Sequence, residues 1–252
     1  MSDSKVPPQE ELLAFIEQEE RRLAGRSFDV PVENLYEFQV LYGVCAQAIR
    51  YAGAYVVLVR VGRAREAATL ARQALEYAGT AMWAHFIDGG LGRLVATIEA
   101  THFDFFRKMS AYLGNADLLR EVEAREADLE VRGKGMPKII ERLAAIDQHT
   151  MLQTIYIQQS QLVHVTGSAI LGFLSVDASD EFGLNFDPPD PHSVNTAYAA
   201  AMATMFAAWQ IAFLTSDSAT LSELDQISDE LLLPLNADPR NASSTESDRT
   251  RS

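Results

Sequence analysis

The sequence predicts an all-α protein: an antiparallel bundle of about five long helices with several shorter ones. Three observations lead there. Apolar residues recur at three- and four-residue intervals along most of the chain, the signature of one buried helix face. Glycine and proline punctuate these runs. No run shows the alternation of a half-buried strand.

The elements follow in order. After Pro7-Pro8, "QEELLAFIEQEERRLAG" places Leu12, Leu13, Ile16 and Leu23 on one side, and Gly25 is a stop. Pro31 opens a second helix through Leu35, Phe38, Leu41, Cys45 and Ile49 toward Val61, and Gly62 breaks it. A third runs from Arg63 to Ile87 and a fourth from about Leu91 to Leu113, with Gly114-Asn115 as the break. "ADLLREVEAREADLEVRG" carries Glu and Arg at neighbouring helical positions and reads as a solvated helix. A short helix begins at Pro137 and reaches about Ile146. The fifth long helix contains "YIQQSQLVHVTGS", Tyr156 to Ser168. Ser175 to His192 is a loop rich in Asp, Pro and Gly, after which an alanine-rich helix and a short helix, about Thr220 to Leu233, complete the fold. Residues 1–233 are expected to form a single domain. "PLNADPRNASSTESDRTRS", from Pro234 to Ser252, has too little to bury and is expected to be a disordered tail.

Composition narrows the function. The formal net charge of the 252 residues is -14 and the pI about 4.7. Such a surface repels polyanions, which disfavours nucleic acid as a partner. The single cysteine, Cys45, allows no internal disulfide and reads as a small buried hydrophobe. The polar, acidic N-terminus is unlike a signal peptide, and the Ala- and Arg-rich usage points to a bacterial, cytoplasmic protein. Ala197 to Thr215 is uncharged and nearly long enough to span a bilayer. Its alanines contribute little to insertion, so it reads as a buried central helix, with no membrane partner.

Two helices carry polar stripes inside apolar surroundings. On one, Arg65, Thr69, Arg72, Glu76 and Thr80 fall three or four apart beside Leu70, Leu75, Met82 and Trp83. On the other, Tyr156, Ser160, His164 and Ser168 are each four apart. Arg72 and Glu76 can pair, and in a core that pair would need further hydrogen bonds to offset several kcal/mol of desolvation. Tyr156, Ser160 and His164 could supply them from a facing helix. A carboxylate near the imidazole would raise its pKa and leave it chargeable near neutrality. Such a group would either fix helix register or line a ligand or catalytic pocket.

The two stretches "LARQALEYAGTAMW" and "YIQQSQLVHVTGS" together resemble a bacterial family of helical proteins catalogued as a domain of unknown function. Its marks are AR-x-x-x-E on one helix and Y-x-x-x-S-x-x-x-H on another, which fall here on Arg72, Glu76, Tyr156, Ser160 and His164. The resemblance covers roughly residues 35–174 and implies a helical fold without an established activity.

Other chemistries rest on shorter signals. "RLAAIDQH", Arg142 to His149, resembles the R-x(4-6)-H motif of the HEPN superfamily of helical, metal-independent RNases, where both residues would act on a phosphate. Leu143 stands where that family usually has a polar residue. "EATH", Glu99 to His102, is one quarter of a di-iron carboxylate site, and no second Glu-x-x-His accompanies it. Ser160 and His164 lack a nucleophile elbow, and no P-loop or dinucleotide fingerprint calls for a cofactor. Enzyme and binding protein are both left open. The reading is a helical protein with a polar pocket that takes a small-molecule ligand, a binding or stress- and defence-associated module. The alternatives are an RNase or other hydrolase, and a scaffold forming a homodimer through Ala197 to Leu214.

Overall fold

The computed structural model describes residues 7–128, 135–147, 150–164, 166–176 and 182–233. The expected tail from Pro234 lies outside them. The fold is all-α, as the periodicity requires. Its helices are α1 (Gln9–Leu23), α2 (Leu35–Arg60), α3 (Ala64–Phe86), α4 (Gly90–Leu113), α5 (Ala116–Asp128), α6 (Ile139–Ile146), α7 (Met151–Val163), α8 (Gly167–Leu171), α9 (Ser193–Leu214) and α10 (Ser218–Glu230). The described residues group into two compact units, one drawn from 7–83 and 139–233 and one from 84–138.

In the larger unit α9 is the central post. Sixteen of its 22 residues are buried, among them Met202, Met205 and Phe206, each of which gains roughly 1.5–3 kcal/mol on burial. Its alanines let α1, α2, α7 and α10 approach closely. A helix apolar all round is a core helix when its own chain covers it. Both Val32–Arg60 and Ser193–Leu214 are long and apolar enough to cross a membrane, but 83% of the second one's apolar window is buried inside the fold. Most of Ala197 to Leu214 is thus covered by the protein's own helices.

Polar contacts tie the ends of these helices. Asn34 donates to the Leu214 carbonyl at 3.0 Å, which satisfies one orphan acceptor at the end of α9. Asp217 caps α10 by accepting from the Thr220 amide at 3.0 Å, and Arg26 pairs with its carboxylate at 2.6 Å. Glu19 on α1 is almost fully buried and pairs with Arg22, which also donates to Thr220 at 2.8 Å. Gly62 adopts φ +79°, a turn conformation that ends α2 where the sequence places the break. Cys45 is buried, and burial pushes its thiol up to about 12.

In the smaller unit α4 and α5 form an antiparallel hairpin. Gly114 and Asn115 make the turn, and the Asn115 side chain caps α5 through the amides of Asp117 and Leu118. Arg107 reaches Glu126 at 2.6 Å. Glu121 and Arg125 pair at 2.6 Å on the exposed face of α5, the solvated helix that its charge pattern predicts.

Two local expectations are corrected. The fifth long helix does not continue through Ser168. It stops at Val163, His164 is extended (φ -94°, ψ 165°), and α8 begins anew at Gly167. Thr166 causes the restart: its hydroxyl accepts from the Ala169 amide, a cap that competes with an uninterrupted helix. The expected loop after Ser175 contains an antiparallel ribbon, β1 (Leu174–Val176) and β2 (Phe182–Leu184), with Leu174 opposite Leu184. Strands of three residues are too short to show an alternation in sequence.

Candidate functional site

Arg72, Glu76 and Thr80 lie four apart on α3 and so share a face. That face meets α6 and α7. Arg72 Nε donates to Ser160 Oγ at 3.1 Å, and Arg72 Nη2 donates to the Tyr156 hydroxyl. The Arg72 guanidinium also lies over the Tyr156 ring, 4.7 Å from its centre, a cation–π contact. The Tyr156 hydroxyl donates to Glu76 Oε2 at 3.2 Å. Ser160 donates to the Tyr156 carbonyl at 2.8 Å, which fixes its lone pairs toward Arg72.

A second guanidinium enters from α6. Arg142 is buried, donates to the Thr80 hydroxyl, and brings Nη2 to 3.8 Å from Glu76 Oε1. Thr80 in turn donates to the Glu76 carbonyl at 2.6 Å. The Glu76 carboxylate is thus joined to Arg142 directly and to Arg72 through the Tyr156 hydroxyl. Burial pulls the Arg142 pKa below its ordinary value, and Glu76 opposes that shift. Burial also raises the Tyr156 phenol, with Glu76 adding to the effect, which keeps the hydroxyl protonated as a donor. The cluster is not sealed: the Glu76 side chain is 29% exposed, against 9% for Arg142.

His164 does not join this group. Its place opposite Arg72 required an unbroken helix, and α7 ends one residue before it. The residue is exposed, and its backbone amide bonds to the Ser160 carbonyl at 3.2 Å. Arg65, on the same α3 stripe, serves a different contact: it donates to the Ala169 carbonyl at 2.5 Å and stacks over Phe173. Of the RNase pair, Arg142 is in the cluster and His149 lies outside the described residues. In the smaller unit, Glu99 is half-buried, while His102 is exposed with its ring packed against Phe106 at 4.6 Å. Among the described residues, no group of three or more His, Cys, Asp or Glu could hold a metal ion.

The residue that sequence reasoning assigned elsewhere is Arg142. A signal was present: Ile139, Arg142, Leu143 and Ile146 recur at three- and four-residue spacing, which places the arginine beside the apolar face of a short helix. An arginine there is buried only if an anion or hydroxyl awaits it, and Glu76 and Thr80 do. Compared with known proteins, the chain matches no family model, no curated protein and no solved structure.

Proposed function

We infer that this chain is a helical binding module whose cluster on α3, α6 and α7 holds a small anion, a carboxylate or a phosphate. The observation that carries this reading is that Arg142 faces the partly exposed Glu76 carboxylate directly while Arg72 is joined to it through the Tyr156 hydroxyl. Guanidinium groups present planar, bidentate donors suited to carboxylate and phosphate oxygens. Two of them lie within one hydrogen-bonded cluster here, beside a carboxylate that is partly open to solvent. The Tyr156, Ser160 and Thr80 hydroxyls hold these donors in place. The acidic surface elsewhere is compatible with a small anion and disfavours a long polyanion, and the acidic, soluble composition supports a cytoplasmic setting.

The test is thermal. Inorganic phosphate, acetate and citrate are added at constant ionic strength, and the melting temperature is followed. A ligand that binds only the folded state raises it. The expected result is a rise for at least one anion in the wild type, lost in Arg72→Met and Arg142→Met. Equal rises in wild type and both variants would mean general salt effects and defeat the reading.

The RNase reading retains one specific observation, the presence of Arg142 in this cluster. The same two guanidinium groups would then receive a phosphodiester. RNA cleavage that is absent from the wild type, or that survives Arg142→Lys and His149→Ala, removes it.

A further inference from the structure

Helices α1, α2 and α9 line a pocket of about 240 Å3, open to solvent on one side, that involves none of the cluster residues. Its lining is mostly apolar: Leu23, Ala46, Ile49 and Ile211, with Tyr42 as an aromatic wall. Tyr42 stacks on Phe38 at 5.2 Å and meets Phe28 edge-on at 5.4 Å, so the wall is braced from behind. Two charged side chains interrupt this lining, Glu20 from α1 and Arg50 from α2.

Neither has a partner among the described residues. Several charged side chains near them are paired. Glu19, one residue earlier, is bonded to Arg22, Arg26 pairs with Asp217, and Arg60 pairs with Glu10 and Glu17. The Glu20 carboxylate instead crosses to α2 and lies on the bare backbone of Gly53. A Cβ at that position would stand 2.2 Å from Oε2 and 2.4 Å from Cδ. Ala46 lies four residues after Tyr42, Ile49 and Arg50 three and four after Ala46, and Gly53 four and three after those, so the glycine extends the pocket-facing side of α2. A half-buried carboxylate without a partner is costly, and a ligand cation would complete it.

We propose that this pocket binds a free amino acid with an apolar side chain. Its ammonium lies on Glu20, its carboxylate is met by Arg50, and its side chain rests against Tyr42, Ile49 and Ile211. The volume suits this class: an apolar cavity of about 150 Å3 accepts benzene, and the additional space accommodates the two charged groups. A simple carboxylate would leave the half-buried Glu20 unanswered, and a simple amine would forgo the exposed Arg50 at the rim.

The test is calorimetric titration of the full chain with L-leucine, L-methionine and L-phenylalanine, and with phenethylamine and 3-phenylpropionate as analogues lacking one charge. At least one amino acid is expected to bind with one-to-one saturation, and each analogue about tenfold or more weaker. Glu20→Gln weakens the amino acid by about tenfold or more. Gly53→Ala displaces only the mobile end of Glu20 and removes a helix-weakening glycine. It is therefore expected to melt no lower than the wild type and still to lose binding to the same degree. Absence of binding by all three amino acids would overturn the proposal. So would equal binding of either analogue, or binding undiminished in both folded variants.

Discussion

Replacing Tyr156 by Phe removes one oxygen from the centre of the Arg72–Glu76 cluster and leaves everything else in place. That oxygen accepts from Arg72 and donates to Glu76 at 3.2 Å. Hydrogen bonds to charged groups contribute about 1.5–3 kcal/mol each. Neither is lost in full. Arg72 keeps Ser160 at 3.1 Å and keeps the ring, 4.7 Å away. Glu76 is 29% exposed, so water replaces part of its lost donor. The net cost is therefore about 2 kcal/mol, a substantial share of the 5–15 kcal/mol that holds an ordinary domain together. Urea unfolding followed by circular dichroism measures it. A double-mutant cycle with Arg72→Met should return a coupling of about 1 kcal/mol or more, because the two side chains share a bond. Tyr156→Phe costing less than about 0.5 kcal/mol, with no coupling to Arg72, would refute the bonding pattern on which the site rests.

The close approach of α3 to α6 gives a second prediction. A Cβ on Gly79 would lie 2.5 Å from the Leu143 side chain, so Gly79→Ala overpacks the contact and costs about 1 kcal/mol after the helix-propensity gain. Leu143→Ala costs about 3 kcal/mol by leaving a cavity, and the double variant should cost less than the sum, strict additivity arguing against the contact. At the start of α10, the Thr220 amide, Arg26 and the Thr220 hydroxyl hold the Asp217 carboxyl down at about 2, from 3.8. A depressed carboxylate stabilises the fold above pH 3.8, and that contribution is lost as pH falls from 3.8 toward 2. Asp217→Ala is thus expected to cost about 1 kcal/mol at neutral pH through the lost cap and to flatten the acid limb of stability against pH. An unchanged acid limb counts against this. Cys45, raised to about 12 by burial, should resist a thiol reagent at pH 8 in the native protein and react on unfolding; rapid native labelling would contradict its placement.

The long helices were readable because apolar spacing and glycine stops agree. The expected span Arg63 to Ile87 meets α3 at Ala64–Phe86, and Leu91 to Leu113 meets α4 at Gly90–Leu113. The stripe of Arg72 and Glu76 could be matched to Tyr156 and Ser160 for a related reason: charged and hydroxyl groups on apolar helices need one another. What failed was local competition. Nothing in the period of "YIQQSQLVHVTGS" reveals that Thr166 caps a new helix, yet that one hydroxyl removes His164 from the group. Arg142 was hidden differently. Its spacing to His149 suggested one chemistry, whereas its burial against Thr80 and Glu76 is decided by tertiary packing.

The central claim is that Arg72 and Arg142 act together on a small anion. Site-resolved spectra of the arginine Nε–Hε groups, recorded while inorganic phosphate or a short carboxylate is added at constant ionic strength, test it most directly. The Arg72 and Arg142 signals are expected to move together and saturate with one dissociation constant, while Arg60, paired with Glu10 and Glu17 on the surface, stays still. Signals that do not move, or that drift alike at every arginine without saturating, would contradict it.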